Sequence, residues 1–570
     1  MTRDGRLLRG VVLVAVGLGL IAPITLGLWQ TARAAFGILP ALGRDTLSLD
    51  PWRDLALLPG FATSLRLTLV TGVGSTLLSV LLATGFCAAA HARMTPGAGA
   101  RLLTPFLAIP HAAMAVGLAF VLAPSGWIAR ALAPLAGWDR PPELATVNDG
   151  WGFALLVGLM VKEVPFLLLV ILSALGQIPV ARHMAAGRAL GYGRGIVWIK
   201  IIMPQVWPLI RLPVWVVLAY ALSVVDMAII LGPSNPPTLA VAVTRWFTNP
   251  DPAMILPASA GAILQAVIVT AGVALLIGGE AAMRRAGRWW LRRGGRGLSA
   301  EPGLRAASAA VMVLMGLGAL AMLSLVVWSV AWRWSFPQIL PESWSLRPWG
   351  GAHDGWMRAL ANTGLLAGAT VAVSLALAIA WLEGEDRSRR TRAPWAEALI
   401  YLPLLVPQIG FLFGLNVAFL HIGISSGMAA VIWAQVVFVF PYVMIALSDP
   451  WRALDPRMIH AAAALGAGPG RRLWAVKLPI LLRPILTAAA VGVAVSVAQY
   501  LPTLFMGAGR VATLTTEAVT LSSGSDRRVT GVYATLQAAL PFAAYLAAFA
   551  IPAILHRNRR DLTGAPAHEP

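Results

Sequence analysis

The chain has 570 residues, 58% of them hydrophobic and only 12% charged, with a formal net charge of +20. Soluble domains carry about 25% charged residues, so this composition excludes an ordinary soluble globular protein and points to the bilayer. The positive charge does not read as nucleic-acid binding, because the arginines sit in short loops between apolar runs and form no basic stripe interleaved with aromatic residues.

Arg3, Arg6 and Arg9 precede an apolar run from Val11 to Leu28, and Ala32-Arg33-Ala34 behind it mimics a signal-peptidase site. The run is long enough to span, so it is expected to remain as a signal-anchor helix. Apolar segments then predict helices over 61–91, 101–123, 150–176, 204–232 and 256–282, after a first over 10–30. A second series follows over 306–332, 358–383, 395–421, 427–449, 479–505 and 530–555. The expected fold class is an all-α membrane protein of about twelve transmembrane helices in two parallel-repeat six-helix halves, 1–282 and 306–556. The Arg- and Gly-rich stretch 283–305 reads as a cytoplasmic linker and 557–570 as a cytoplasmic tail. The one cysteine, Cys87, lies in an apolar run; it allows no internal disulfide and reads as a small buried hydrophobe.

Charge sets the orientation. With the N-terminus inside, the inner loops hold Arg93, Arg101, Arg182, Arg188, Arg194, Lys200, Arg284, Arg285, Arg288, Arg292, Arg293 and Arg296. They also hold Arg387, Arg389, Arg390, Arg392, Arg452, Arg457, Arg471, Arg472 and Lys477, and the tail adds Arg557, Arg559 and Arg560. The opposite loops contain Asp45, Asp50, Asp54, Asp251 and Asp354. The positive-inside rule therefore places both termini in the cytoplasm of a multi-pass bacterial inner-membrane protein.

Two polar stretches repeat at a distance of 275 residues. The first runs His183-Met184-Ala185-Ala186-Gly187-Arg188-Ala189-Leu190-Gly191 with Met203-Pro204; the second runs Ile459-His460-Ala461-Ala462-Ala463-Ala464-Leu465-Gly466 with Leu478-Pro479. The glycine-to-proline spacing is 13 in both. Further matches, Pro165-Phe166 with Pro441-Tyr442, Ser223-Val224-Val225-Asp226 with Ser496-Val497-Ala498-Gln499, and Thr238-Leu239 with Thr513-Leu514, run in the same direction. They imply two copies of one unit related by an axis along the membrane normal. Both repeated loops, near 177–203 and 450–478, fall on the cytoplasmic side. Small residues there allow close helix contact. Gly191 and Gly466 permit a sharp turn, and Pro204 and Pro479 can open the following helix.

This pattern resembles the EAA motif of binding-protein-dependent ABC-importer permeases. The nearest resemblance is to fused, double-length permeases of the ferric iron, thiamine and polyamine type, and among these to the thiamine type. The resemblance implies that Ala185, Ala186, Arg188, Gly191 and Pro204, and His460, Ala461, Ala462, Gly466 and Pro479, belong to coupling loops that dock a cytoplasmic ATPase. That ATPase, a dimer, would bind the ATP, and an extracytoplasmic solute-binding protein would deliver the solute. The motif's glutamate is absent twice, replaced by Ala185 and His460, which leaves Arg188, Arg194, Arg471 and Arg472 for charge contacts. No P-loop is present, since none of Lys162, Lys200 and Lys477 follows a glycine. No cofactor, metal site or covalent catalysis is expected, because the eight histidines are scattered and none shows an i, i+4 ligand spacing.

Ionisable groups inside spans are costly and mark pathways or structural pairs. Lys162, Glu163, Asp226, Gln435 and Gln499 are the candidates for a polar path, with Gln408 and Asn416 beside them. A pairing of Lys162 with Glu163 or Asp226 that locks helices together is the structural alternative. A twelve-helix secondary transporter is the rival function; the loop His91-Ala92-Arg93-Met94-Thr95-Pro96-Gly97 lacks the acidic-basic signature such carriers often show.

Overall fold

The computed structural model describes residues 3–90, 96–292, 301–350, 354–388, 394–524, 526–555 and 557. Arg93, Arg293, Arg296, Arg389, Arg390, Arg392, Arg559 and Arg560 of the basic loops lie outside the described residues, as do His91, His353, His556 and His568.

The apolar runs form helices because a backbone in lipid must satisfy its own polar groups. In the first half these are α1 (Leu7–Ala35), α2 (Phe61–Ala90), α3 (Pro96–Ala108), α4 (His111–Leu122) and α5 (Phe153–Leu175). A short α6 (Val180–Ala189) precedes α7 (Arg194–Ser223), α8 (Asp226–Leu231), α9 (Leu239–Phe247) and α10 (Ile255–Arg292). The second half repeats the series as α11 (Glu301–Val330), α12 (Asp354–Ser388), α13 (Pro394–Tyr401), α14 (Gln408–His421) and α15 (Met428–Arg452). Then come α16 (Pro456–Ala464), α17 (Pro469–Ile480), α18 (Leu482–Val497), α19 (Leu501–Gly507), α20 (Leu514–Ser522) and α21 (Arg527–Leu555). Among the described residues ten helices are long and apolar enough to cross a membrane, or twelve if each of two bent pairs counts as one span.

Four expected spans are broken rather than continuous. The 101–123 segment splits at Pro110, whose backbone is extended (φ −59°, ψ 149°). The 395–421 segment bends by 101° across Leu405-Val406-Pro407. Proline removes an amide donor and disfavours helix in the residue before it, which accounts for both breaks. The 204–232 segment stops at Ser223 with Val224 extended, and the 479–505 segment bends by 75° at Leu481 and opens again between Val497 and Leu501. No proline sits at the Val224 break. Part of the expected linker is helical, since α10 runs on to Arg292.

The first helix of each half packs on the other half. α1 lies along α14 and α12, and α11 lies along α4 and α2. Small residues allow both crossings. A Cβ on Gly414 would collide with the Gly27 carbonyl, and one on Gly117 would collide with the Ala321 carbonyl. Beside the second crossing, Ser324 Oγ donates to Gly117 O at 3.0 Å. Behind α11 a two-stranded hairpin, β1 (Ala331–Arg333) and β2 (Ser343–Trp344), is held to the first half. Buried Arg130 donates to the carbonyls of Ser125, Ser335 and Gln338 at 2.9, 2.7 and 2.6 Å.

Candidate coupling loops and translocation pathway

The two repeated loops fold alike to within a few degrees. α6 and α16 end on Leu190 (φ −82°, ψ 4°) and Leu465 (φ −80°, ψ 11°), and Gly191 and Gly466 both take φ +81°. Glycine adopts that left-handed angle without a Cβ clash, which is why the motif carries it there. The turn closes identically: Tyr192 N donates to Gly187 O, and Ala467 N donates to Ala462 O, each at 3.0 Å. Gly193 and Gly468 then start the next helical segments from extended backbone. Ala185, Ala186 and Arg188 are exposed on α6, and His460 and Ala461 on α16; Ala462 is half-buried. Ala185 and His460, which stand where the motif has its acid, are both exposed.

Pro204 and Pro479 do not open their helices. The helical path begins earlier, at Arg194 and Pro469, and passes through a single π-helical turn at Trp198–Ile202 and at Leu473–Lys477. The turn closes through Met203 N to Trp198 O in one half and Leu478 N to Leu473 O in the other. A proline one residue later has no amide to give and crowds the carbonyl four residues back, so the helix widens by one residue ahead of it.

The loops are joined to the membrane helices differently in the two halves. Arg194 Nη1 donates to Ala89 O at the end of α2, at 2.9 Å. In the second half, buried Lys477 Nζ lies 2.6 Å from Glu383 and 2.5 Å from Asp386 at the end of α12. Arg387 pairs with Glu383 at 2.7 Å, Arg452 with Glu385 at 3.0 Å, and Trp451 Nε1 donates to Asp386 at 3.0 Å. The sequence reading counted only the basic residues here, Lys477 among them. Its available signal was Glu383-Gly384-Glu385-Asp386, an acidic cluster beside the arginine-rich loop that follows.

The intramembrane candidates separate into two groups. Lys162, on α5, donates from Nζ to the carbonyls of Phe106 and Ile109 at 2.7 and 2.6 Å. It therefore ties off the end of α3, where the Pro110 break strands those acceptors. It makes neither of the two ion pairs expected as the structural alternative. Glu163 turns instead to α2, where Ser79 and Ser75 donate to it at 3.0 and 3.4 Å.

Asp226 and Gln499 sit at the matching breaks behind α7 and α18, and both are buried. Gln408, first residue of α14, donates to Gln499 Oε1 at 3.2 Å. The equivalent first residue of α4, His111, lies against Tyr220 with ring centroids 4.5 Å apart, and Asp226 lies within electrostatic reach of Tyr220 and of Tyr500 from the other half. Gln435 accepts from Ser496 and donates to Thr503 at 3.2 Å. Thr363, Leu366, Ser496, Val497, Thr503 and Thr513 gather around Gln435 and Gln499 at this break.

Residues not singled out beforehand hold these breaks open. Gln265 Nε2 on α10 donates to Leu222 O at 3.0 Å, at the break of α7. Gln537 on α21 reaches the Val497 carbonyl, at the break behind α18, through Thr515. Thr68 accepts from Leu239 N at 2.8 Å, and Thr363 accepts from Leu514 N at 3.0 Å, the same bond in each half. A buried glutamine in each sixth span was the readable signal.

Two like-oriented sets of spans, each carrying a short helix between its fourth and fifth members and polar residues at broken helices, define a membrane permease. Residues 372–558 match the family described as binding-protein-dependent transport system inner membrane component. The chain is 30% identical over 541 residues to the inner membrane ABC transporter permease protein YnjC of Escherichia coli, covering 93% of this chain and 95% of that protein. Shorter similarities reach the molybdenum transport system permease protein ModB of Mycobacterium tuberculosis (30% over 156 residues, 25% of this chain and 58% of that protein). Others reach the spermidine/putrescine transport system permease protein PotC of Escherichia coli (26% over 96 residues, 17% and 36%). The chain belongs to the family of inner-membrane permeases of binding-protein-dependent ABC transporters, and it is the transmembrane permease subunit of an ABC importer.

Proposed function

We propose that both repeated loops of this chain dock one ATPase dimer, with Ala185, Ala186, Arg188, Gly191 and Pro204 in one contact and His460, Ala461, Ala462, Gly466 and Pro479 in the other. The observation that carries this reading is the identical turn geometry of two loops 275 residues apart. A rigid knob on each half can convert closure of a partner into rigid-body motion of the spans. ATP is bound by that partner, and this chain needs no cofactor of its own. The termini and both loops face the cytoplasm, and residues 1–282 and 306–556 act as the two halves.

The path runs between the halves, past Asp226 and Gln499 at the matching helix breaks and past Gln435. Lys162 and Glu163 shape its wall, because their hydrogen bonds run to Ser75 and Ser79 of α2 and to Phe106 and Ile109 at the end of α3. The solute, delivered by a binding protein, is a polar molecule of the kind carried by the ferric iron, thiamine and polyamine importers; the names of ModB and PotC extend that range to a molybdenum species and polyamines.

The test is uptake into proteoliposomes holding the permease with its ATPase and binding protein. Gly191→Glu with Gly466→Glu should leave the protein inserted and ATP hydrolysis running while uptake is lost. Unchanged uptake in this double variant would remove the coupling role. Uptake driven by an ion gradient in the absence of the ATPase would establish a secondary transporter.

A further inference from the structure

Leu190 and Leu465 are 64% and 88% exposed. A single exposed leucine means little on a protein surface. These two, however, occupy the same place in both loops, 275 residues apart, as the residue that caps the C-terminus of α6 and of α16. Each is followed by a glycine at φ +81°, and each turn is closed by the same backbone bond. The turn therefore fixes where the side chain points, and fixes it alike in both halves. The exposed residues that precede them include Ala185, Ala186 and Arg188 on α6 and Met458, Ala461, Ala463 and Ala464 on α16. The acid that the family motif supplies is absent in both loops, so no carboxylate on either short helix can anchor a basic socket.

We propose that Leu190 and Leu465 are the anchors by which this permease seats on its ATPase, each filling an apolar pocket in one ATPase subunit, so that docking is carried by apolar burial in place of an ion pair. This rests on the coupling-loop reading above and names the chemistry of its contact. Full burial of a leucine side chain is worth about tenfold or more in affinity, and two equivalent anchors multiply. Apolar contacts also survive salt, whereas exposed ion pairs are largely screened by it.

The complex of the full chain with the ATPase subunit of its own transporter is reconstituted in nanodiscs, and ATPase dissociation is measured. Leu190→Ala with Leu465→Ala should weaken association about a hundredfold, Leu190→Met with Leu465→Met should retain it, and wild-type affinity should hold between about 0.05 and 0.5 M salt. A double alanine variant that binds like wild type, or a wild-type complex that falls apart over that salt range, would overturn the proposal. A control with both loops, residues 180–191 and 456–466, replaced by Gly-Ser separates the two readings. Loss of binding there with full binding of the double alanine variant rejects the leucine anchors alone. Retained binding there rejects the coupling loops themselves.

Discussion

Lys162 acts as a cap, although it is a charged residue inside a span. Its ammonium satisfies two carbonyls freed by the Pro110 break, and a buried acceptor left without a donor costs about 1–3 kcal/mol. Lys162→Met should therefore destabilise the purified protein by about 2–4 kcal/mol, read as a fall in thermal midpoint in detergent. Gln499→Leu should leave that midpoint nearly unchanged and reduce uptake. Equal stability loss for both variants would mean that Gln499 is structural too. The charge of Lys162 was legible in the sequence as an anomaly. Its partners were not, because backbone carbonyls carry no residue signal, and they stand in place of Glu163 or Asp226, the partners of the structural alternative.

At the scale of elements, the breaks matter more than the spans. Hydropathy reads apolar length and is blind to interruption, so 204–232 looked like one helix although Val224 is extended. What stabilises that break is Gln265, from an element 43 residues away in sequence. The π-helical turns are closer to legible, since each lies just ahead of the motif's proline. The asymmetric join of the loops belongs here as well. Lys477 and Glu383 are both buried, and removing one partner of such a pair costs about 3 kcal/mol. Lys477→Met should show that loss in unfolding measurements, with Glu383→Gln restoring part of it in the double variant. Additive losses would mean that the pair is not coupled. Arg194, bonded among the described residues to the Ala89 carbonyl, should be the more tolerant position.

At the scale of the molecule, the halves are interlocked, because each first helix packs along helices of the other half as well as its own. A fragment of residues 301–570 made alone lacks α1 and exposes the face of α14 that α1 covers. It should aggregate or be degraded, and co-expression with residues 1–300 should rescue it, judged by monodispersity on size exclusion. Gly414→Leu should weaken assembly in the intact chain, since its Cβ alone meets the Gly27 carbonyl. A monodisperse isolated fragment would show that the crossed helices are dispensable.

The sequence by itself determined the membrane setting, the parallel duplication and the two loops, because hydrophobic length, charge bias and a 275-residue repeat are properties of residue order. Only the tertiary structure decided which helices each first helix packs along, where four spans break, and which buried polar groups face one another. Those outcomes depend on backbone acceptors and small-residue clearances between distant segments, and neither leaves a mark on the order of side chains along the chain.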